Sequence, residues 1–338
     1  MKTKKTNIRM ILAVALFALT ATTVQARSWR INNDKTLSPD FTDINAAMSS
    51  EDVVAGDTLY LDPGCGLTSN QTISKQVTVI GCGYMRGNAP HAMASIIPNT
   101  YITAAYVKIE GVIMIGTVYV RANNVTIERC KTNEIYLGDA SSSSAQHVTI
   151  RQCYSTRVRG AGKTEMRSAY CTIENCIIMH NDIYGVIHNL YFPTIKNCYL
   201  REANSSVTLS NSNIFHGISH YTVINNIIIN VPKPSQIWSE TSNAELVQNN
   251  IISTTESVTE ATVFKLKGTG DQRYQLTDDS PARGAANDGG DCGPMGGLYP
   301  YVIGGLPAGH PYFTKAVISP RSEDDKVKVS LQIRMQNE

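Results

Sequence analysis

Six stretches of the chain share one pattern. Val125-Thr126-Ile127-Glu128-Arg129-Cys130, Val148-Thr149-Ile150-Arg151-Gln152-Cys153, Cys171-Thr172-Ile173-Glu174-Asn175-Cys176 and Pro193-Thr194-Ile195-Lys196-Asn197-Cys198 are four copies. Thr222-Val223-Ile224-Asn225-Asn226 and Leu246-Val247-Gln248-Asn249-Asn250 carry Asn in the Cys column. Successive copies lie 23, 23, 22, 28 and 24 residues apart. A fixed period of this length constrains the fold more than any single motif, because a unit so short cannot bury its apolar side alone and must stack on its neighbours.

Period-two alternation of β-branched and polar residues dominates each copy, and no sustained i, i+3, i+4, i+7 stripe appears, so the repeating unit is built from strands. Three short strands and three bends account for one period. The expected fold is therefore all-β, a single-stranded parallel β-helix whose rungs rise by roughly 4.8 Å. An insertion near His216 to Tyr221 is expected to absorb the longer step. A coil also needs its ends covered. Phe41 to Met48 reads as a short capping helix with Thr42 or Asp43 as N-cap. The Gly-rich Ser280 to Gly297 is expected at the C-terminal end, Pro307 to Pro320 as extended or loop-like chain, and Val327 to Ile333 as a final half-buried strand.

The 338 residues are 42% hydrophobic and 17% charged, a composition that folds. Residues 1–26 have the layout of a secretory signal: Lys2, Lys4, Lys5 and Arg9, an apolar stretch from Met10 to Leu19, then Val24-Gln25-Ala26 as cleavage site. That stretch is too short to span a bilayer. Without the signal, 26 Lys and Arg stand against 28 Asp and Glu, a net charge of −2. Such a balance argues against nucleic acid as a partner. No second long apolar run is present and no Cys directly follows the cleavage site, so an exported protein, secreted or periplasmic, without transmembrane segment or lipid anchor, is expected. The domain division expected is 1–26 signal, 27–305 coil with its N-terminal cap, and 306–338 an extension packing on the coil.

Three further stretches carry a family resemblance. Gly56-Asp57-Thr58-Leu59-Tyr60-Leu61-Asp62-Pro63-Gly64, Ile73-Ser74-Lys75-Gln76-Val77-Thr78-Val79-Ile80-Gly81 and Ser280 to Gly297 resemble the first-rung, second-rung and terminal segments of secreted members of the right-handed parallel β-helix superfamily, the pectate-lyase-like fold. The likeness covers roughly residues 40–305 and implies a right-handed coil. It says little about activity, since one fold hosts many chemistries.

In that family, substrate normally lies across the outside of one parallel sheet. Alternation predicts which side chains point outward there. With Val118, Val120, Ile135, Leu137, Val158, Ile183, Val207, Leu209 and Ile237 turned inward, one outward column is Tyr119, Tyr136, Arg159, Tyr184, Thr208 and Trp238. Its neighbour is Thr117, Glu134, Arg157, Asp182, Ser206 and Gln236. Aromatic faces suit the apolar C–H faces of sugars, and Arg or carboxylate groups suit hydroxyls and uronates. Tyr119, Tyr136, Tyr184, Thr208 and Trp238 are thus the substrate-binding candidates, while exposed strand faces also favour Tyr and Thr without any ligand.

Glu134, Arg157 and Asp182 occupy adjacent rungs, placing the two acids roughly 10 Å apart with Arg157 between. That spacing sits at the edge of the 6.5–9.5 Å or so of inverting glycosidases. A lyase would use Arg157 or Arg159 on the proton α to a uronate, with Ca²⁺ on Glu134 and Asp182. The Asn-Thr-Asp, paired Asp and Gly-His-Gly motifs of polygalacturonase-type members are absent, as is the acidic cluster of pectate-lyase-type members. An exposed charge ladder explains the same three residues equally well.

Cys130, Cys153, Cys176 and Cys198 lack zinc spacing and read as a buried stack, with cross-rung pairing open; Cys65 and Cys82 form a second candidate pair. Gly81-Cys82-Gly83 is not a dinucleotide fingerprint, because Arg86 stands where the third Gly is required. Asp288 and Asp291 are weak Ca²⁺ candidates within a turn-rich segment. Asn225-Asn226 and Asn249-Asn250 are expected to bond between successive bends. Two functions follow: a monomeric exported β-helix that binds, and in one version cleaves, a polysaccharide, with lyase chemistry ahead of glycosidase chemistry; or a non-catalytic surface, adhesion or structural module.

Overall fold

A computed structural model describes residues 26–84, 94–138, 145–161, 168–180, 185–202, 214–229, 237, 243–253 and 258–306, together with the strands Pro311–Ile318 and Val329–Met335. The proposed signal segment lies outside the described residues, apart from Ala26. So do the candidates Asp182, Tyr184, Thr208 and Trp238.

The chain winds as a coil of parallel strands with three faces. Among the described residues ten strands make the first face, including Lys108–Glu110, Thr126–Glu128, Thr149–Arg151, Thr172–Glu174 and Thr194–Lys196. The remaining twelve coil strands form one sheet that bends to make the other two faces. Ile113–Val120 shows how. Its first two residues pair with Lys131 and Thr132 on the second face, and Thr117 to Val120 pair with Glu134 to Leu137 on the third. Gly116 sits at that bend, where the Asn99 side chain occupies the space a Cβ would fill and accepts from Thr117 N at 2.8 Å.

Register confirms the repeat. Val79, Ile109, Ile127, Ile150, Ile173, Ile195 and Val223 are cross-strand partners in unbroken succession. Every one is fully buried. Removing each such side chain from water contributes about 1.5–3 kcal/mol, which only stacked copies can realise.

A residue with left-handed backbone closes each of the last six first-face strands: Arg129, Gln152, Asn175, Asn197, Asn225 and Asn249, with φ between 52° and 58°. The next residue points inward. Cys153, Cys176 and Cys198 Sγ donate to the carbonyls of Ile127, Ile150 and Ile173 in the rung before, at 3.4–3.5 Å. Asn226 and Asn250 Nδ2 donate to the equivalent carbonyls of Ile195 and Val223 at 3.0 and 2.9 Å. Thiol and amide therefore satisfy the same acceptor, which explains why the column tolerates both. All eight cysteines are free and the column is a buried stack, as read from the sequence, with neither candidate pairing formed.

The N-terminal cap is a helix at Ile44–Ser49 with Asp43 as its N-cap, accepting from Ala46 N at 2.8 Å. It buries Ile44, Ala47 and Met48. The C-terminal end differs from expectation. Ser280 to Gly297 does not cover the last rung; it runs back along the outside of the coil, where Asn175 Nδ2 donates to Pro294 O and Gly296 O at 3.0 and 2.6 Å. The last first-face strand, Ala244–Gln248, leaves Val247, at an inward register position, 41% exposed. Residues at His216 to Tyr221 form strand and an ordinary turn rather than an inserted loop. A strand does form at Val329–Met335, displaced from the expected Val327 to Ile333 and paired antiparallel with Pro311–Ile318, but Val329, Ser330 and Gln332 are exposed, so the expected half-burial is not seen there.

Candidate functional site

Among the described residues, two of the three faces are committed to contacts within the chain. On the first, the charges pair off along the coil: Lys108 Nζ meets Glu110 at 2.8 Å and Glu128 at 3.1 Å, while Glu174 is held by Arg151 at 2.6 Å and Lys196 at 2.8 Å. The second face lies beneath residues 258–306. Ile177, Tyr199, Ile227 and Ile229 pack there with Val263, Phe264, Tyr274 and Tyr301 as a second apolar core. Tyr199 donates to Glu260 at 2.8 Å and Arg201 pairs with the same carboxylate at 3.1 Å.

The third face carries the candidate residues. Tyr119, Tyr136 and Arg159 are partners across three successive strands, and Thr117, Glu134 and Arg157 are partners beside them, because alternation holds along each strand. Both guanidiniums share one carboxylate: Arg157 Nη2 and Arg159 Nε each lie 2.6 Å from Glu134 Oε1. Thr117 donates to the other oxygen at 3.3 Å. Glu134 is buried, and the Arg157 and Arg159 side chains are 18% and 32% exposed, so positive charge reaches the surface and negative charge lies below it.

Aromatic faces are not offered to solvent as the sequence implied. Tyr101, which alternation would also have found one rung earlier, stacks on Tyr119 with centroids 4.8 Å apart and planes within 5°. Tyr119 meets Tyr136 at 5.9 Å, and the Arg159 guanidinium covers the Tyr136 ring at 3.9 Å. Arg121 lies 5.0 Å from the Tyr101 ring centre. Rings stacked along the coil axis give their edges, not their faces, to a ligand. The described part of the face therefore presents ring edges and charged groups.

The register beyond Arg159 also departs from expectation. Val158 and Arg159 pair with Ile187 and His188, not with Ile183 and Tyr184, and these pair in turn with Phe215 and His216 rather than with Val207 and Thr208. Counting a constant period misplaced the rung because residues between the second-face and third-face strands are not constant in number. His188 is 7% exposed, and its Nε2 is buried with no hydrogen bond among the described residues. Burial, then Arg157 and Arg159, pull its pKa down to about 3, so the imidazole is neutral at neutral pH.

A second aromatic ladder, His147, Tyr170, Phe192 and His220, runs along the edge before the first face, with centroids 5.2, 5.0 and 4.7 Å apart. Each member holds a left-handed turn. Its ring faces are likewise consumed by one another, so it braces turns.

As for metals, Asp291 accepts from Gly284 N at 3.0 Å and Asp288 from Gly290 N at 2.9 Å, binding their own loop. No group of three or more His, Cys, Asp or Glu suited to a metal occurs among the described residues. No helix among them is long and apolar enough to cross a membrane.

Residues 93–251 match the family described as right handed beta helix region. No curated protein matches the chain. Similar solved structures include pectate lyase Pel9A, with 14% identity and a TM-score of 0.47 over 80% of this chain and 97% of that one. A mutant pectate lyase of Bacillus subtilis is similar at 10% identity and a TM-score of 0.44, over 81% and 93% of the two chains. By its register, its three faces and this match, the chain has a right-handed parallel β-helix fold.

Proposed function

We propose that the protein binds an acidic polysaccharide along the third face, with Arg157 and Arg159 engaging carboxylate groups and the Tyr119 and Tyr136 edges engaging hydroxyls. One observation carries this reading: two partly exposed guanidiniums share a single buried carboxylate on a face that no described segment covers, whereas the first face pairs its charges and the second is covered. A guanidinium fork matches a carboxylate in shape as well as charge.

The reading is of recognition. Every described partner of Glu134 is a residue of the same face, so its carboxylate serves the arginines rather than a ligand. An exported, non-catalytic carbohydrate-binding module fits this commitment of Glu134 better than a lyase or glycosidase does.

The test is binding of polygalacturonate against uncharged dextran by titration calorimetry at several salt concentrations. Saturable, salt-weakened binding of polygalacturonate alone is expected, reduced at least tenfold in Arg157→Ala and Arg159→Ala. Equal binding of both polymers, or none, overturns the reading. Absorbance of unsaturated uronate appearing during the titration would replace binding by lyase turnover.

A further inference from the structure

Strands Pro311–Ile318 and Val329–Met335 form a two-stranded sheet of their own, joined to neither sheet of the coil. Residues directly opposite in such a ribbon share a face. Phe313 pairs with Ile333, Ala316 with Leu331 and Ile318 with Val329, so one face is apolar along its length. The alternate pairs, Tyr312 with Arg334 and Lys315 with Gln332, give the other face its polar groups. Val329 is 52% exposed, which leaves its end of the apolar face uncovered. A two-stranded ribbon is marginal in water unless that face lies on something.

The coil has a bare surface of matching chemistry. Among the described strands, Ala244–Gln248 is the last on the first face and Ile251–Ile252 the last of the other coil sheet. Val247 holds the inward register of Val223, yet Val223 is fully buried and Val247 is 41% exposed. Ile252, in the inward register of Ile228, is only half-buried. At the opposite end of the coil the Ile44–Ser49 helix covers the core and buries Ile44, Ala47 and Met48.

Reach decides whose ribbon can cover the last rung. Segment 284–306 begins at that rung, where Asn249 Nδ2 donates to Ala285 O at 3.0 Å, and ends five rungs back, where Arg129 Nη1 donates to Leu306 O at 3.3 Å. Gly304 is fixed there: its carbonyl accepts from Tyr84 N at 2.7 Å and its N donates to the buried Asp271 at 2.7 Å. Five rungs rise by about 24 Å. The five residue steps from Leu306 to Pro311 span at most about 18 Å when fully extended. The base of the ribbon therefore falls short of its own last rung, and the ribbon cannot lie across it.

We propose that the ribbon 311–335 covers the last rung of a second copy of the chain, so that the protein self-associates head to tail through the ribbon of one copy and the open coil end of another. This replaces the monomer expected from the sequence and is separate from the third face. A ribbon of two strands, each seven or eight residues long, covers roughly 25 by 10 Å, less than a standard interface, so association is weak, with Kd on the order of 10–100 μM.

Sedimentation velocity on the full chain, over concentrations from about 5 to about 500 μM that bracket this Kd, tests it. The sedimentation coefficient is expected to rise with concentration. Ile333→Asp on the ribbon and Val247→Asp at the coil end are each expected to stay monomeric, with circular dichroism reading the fold. Ser330→Asp, exposed on the ribbon's other face, is expected to associate as the parent does. Mixed in equal amounts, the two monomeric variants are expected to form a dimer, because one intact ribbon then meets one intact end. Hydrogen-exchange protection of peptides covering 244–252 is expected to grow with concentration in the unsubstituted chain, which tests the coil end even where Val247→Asp does not fold. A monomer at every concentration overturns the proposal. So does association that persists in folded Val247→Asp, which would mean ribbon on ribbon, or a mixture that stays monomeric.

Discussion

Glu134→Gln separates what that carboxylate does for the fold from what it does for a ligand. Each guanidinium lies 2.6 Å from Glu134 Oε1. At about 4 Å between charge centres and an effective dielectric constant near 20, each attraction is worth about 4 kcal/mol before desolvation is subtracted. Exposed pairs retain roughly 0–1 kcal/mol of this, and breaking a buried pair costs roughly 3–5. With Glu134 side chain 11% exposed and its partners 18% and 32%, the case is intermediate. The amide leaves two neighbouring cations uncompensated, and a loss of about 2–3 kcal/mol is expected in urea unfolding. Binding moves the other way. The three groups go from a net charge of +1 to +2, so polygalacturonate affinity rises and its salt dependence steepens by about one counterion. Unchanged stability, or weaker binding with intact fold, would refute the reasoning, because Glu134 would then be either a surface spectator or a ligand contact.

Acid acts through His188. Its folded pKa is depressed, so its contribution is complete above the unfolded value near 6.5 and is lost as pH falls from there towards 3. At pH 5 the cost is about 2 kcal/mol, and His188→Gln is expected to flatten unfolding free energy against pH over that window. Burial raises the Asp57 carboxyl, but hydrogen bonds from Arg27 N, Trp29 Nε1 and Val54 N outweigh it and hold the pKa below its ordinary value. Asp57 thus stabilises the first rung above about pH 4 and ceases to do so as pH falls through its folded value, and Asp57→Asn is expected to remove that acid limb in circular dichroism. Thiol titration with Ellman's reagent is expected to find one fast-reacting cysteine in the native protein, the half-buried Cys82, and all eight in guanidinium; burial pushes Cys130, Cys153 and Cys176 well up, removing the thiolate. Rapid reaction of several would contradict the closed column.

The coil was legible because each rung repeats one decision, Ile inward and Thr outward, and Ile127, Ile150, Ile173 and Ile195 carry it without interruption. Pairings within a run of regular rungs followed too, as Thr117, Glu134 and Arg157 show. Tyr184 failed where His188 stands, because the period is kept by the first face and not by the segment joining second to third. Ring orientation was hidden as well: Tyr101 and Tyr119 were readable as outward, but stacking on each other is set by neighbours one rung away. The path of Ser280 to Gly297 depends on left-handed turns at Asn175, Asn225 and Asn249, whose amide ends become a docking rail only once the coil has aligned them.

Hydrogen exchange with and without an acidic oligosaccharide addresses the third face most directly. Protection confined to peptides covering 117–121, 134–138 and 157–160 is predicted, with first-face peptides around 126–128 and 172–174 unchanged. Protection on the first face, or under residues 258–306, would place the ligand elsewhere and contradict the account.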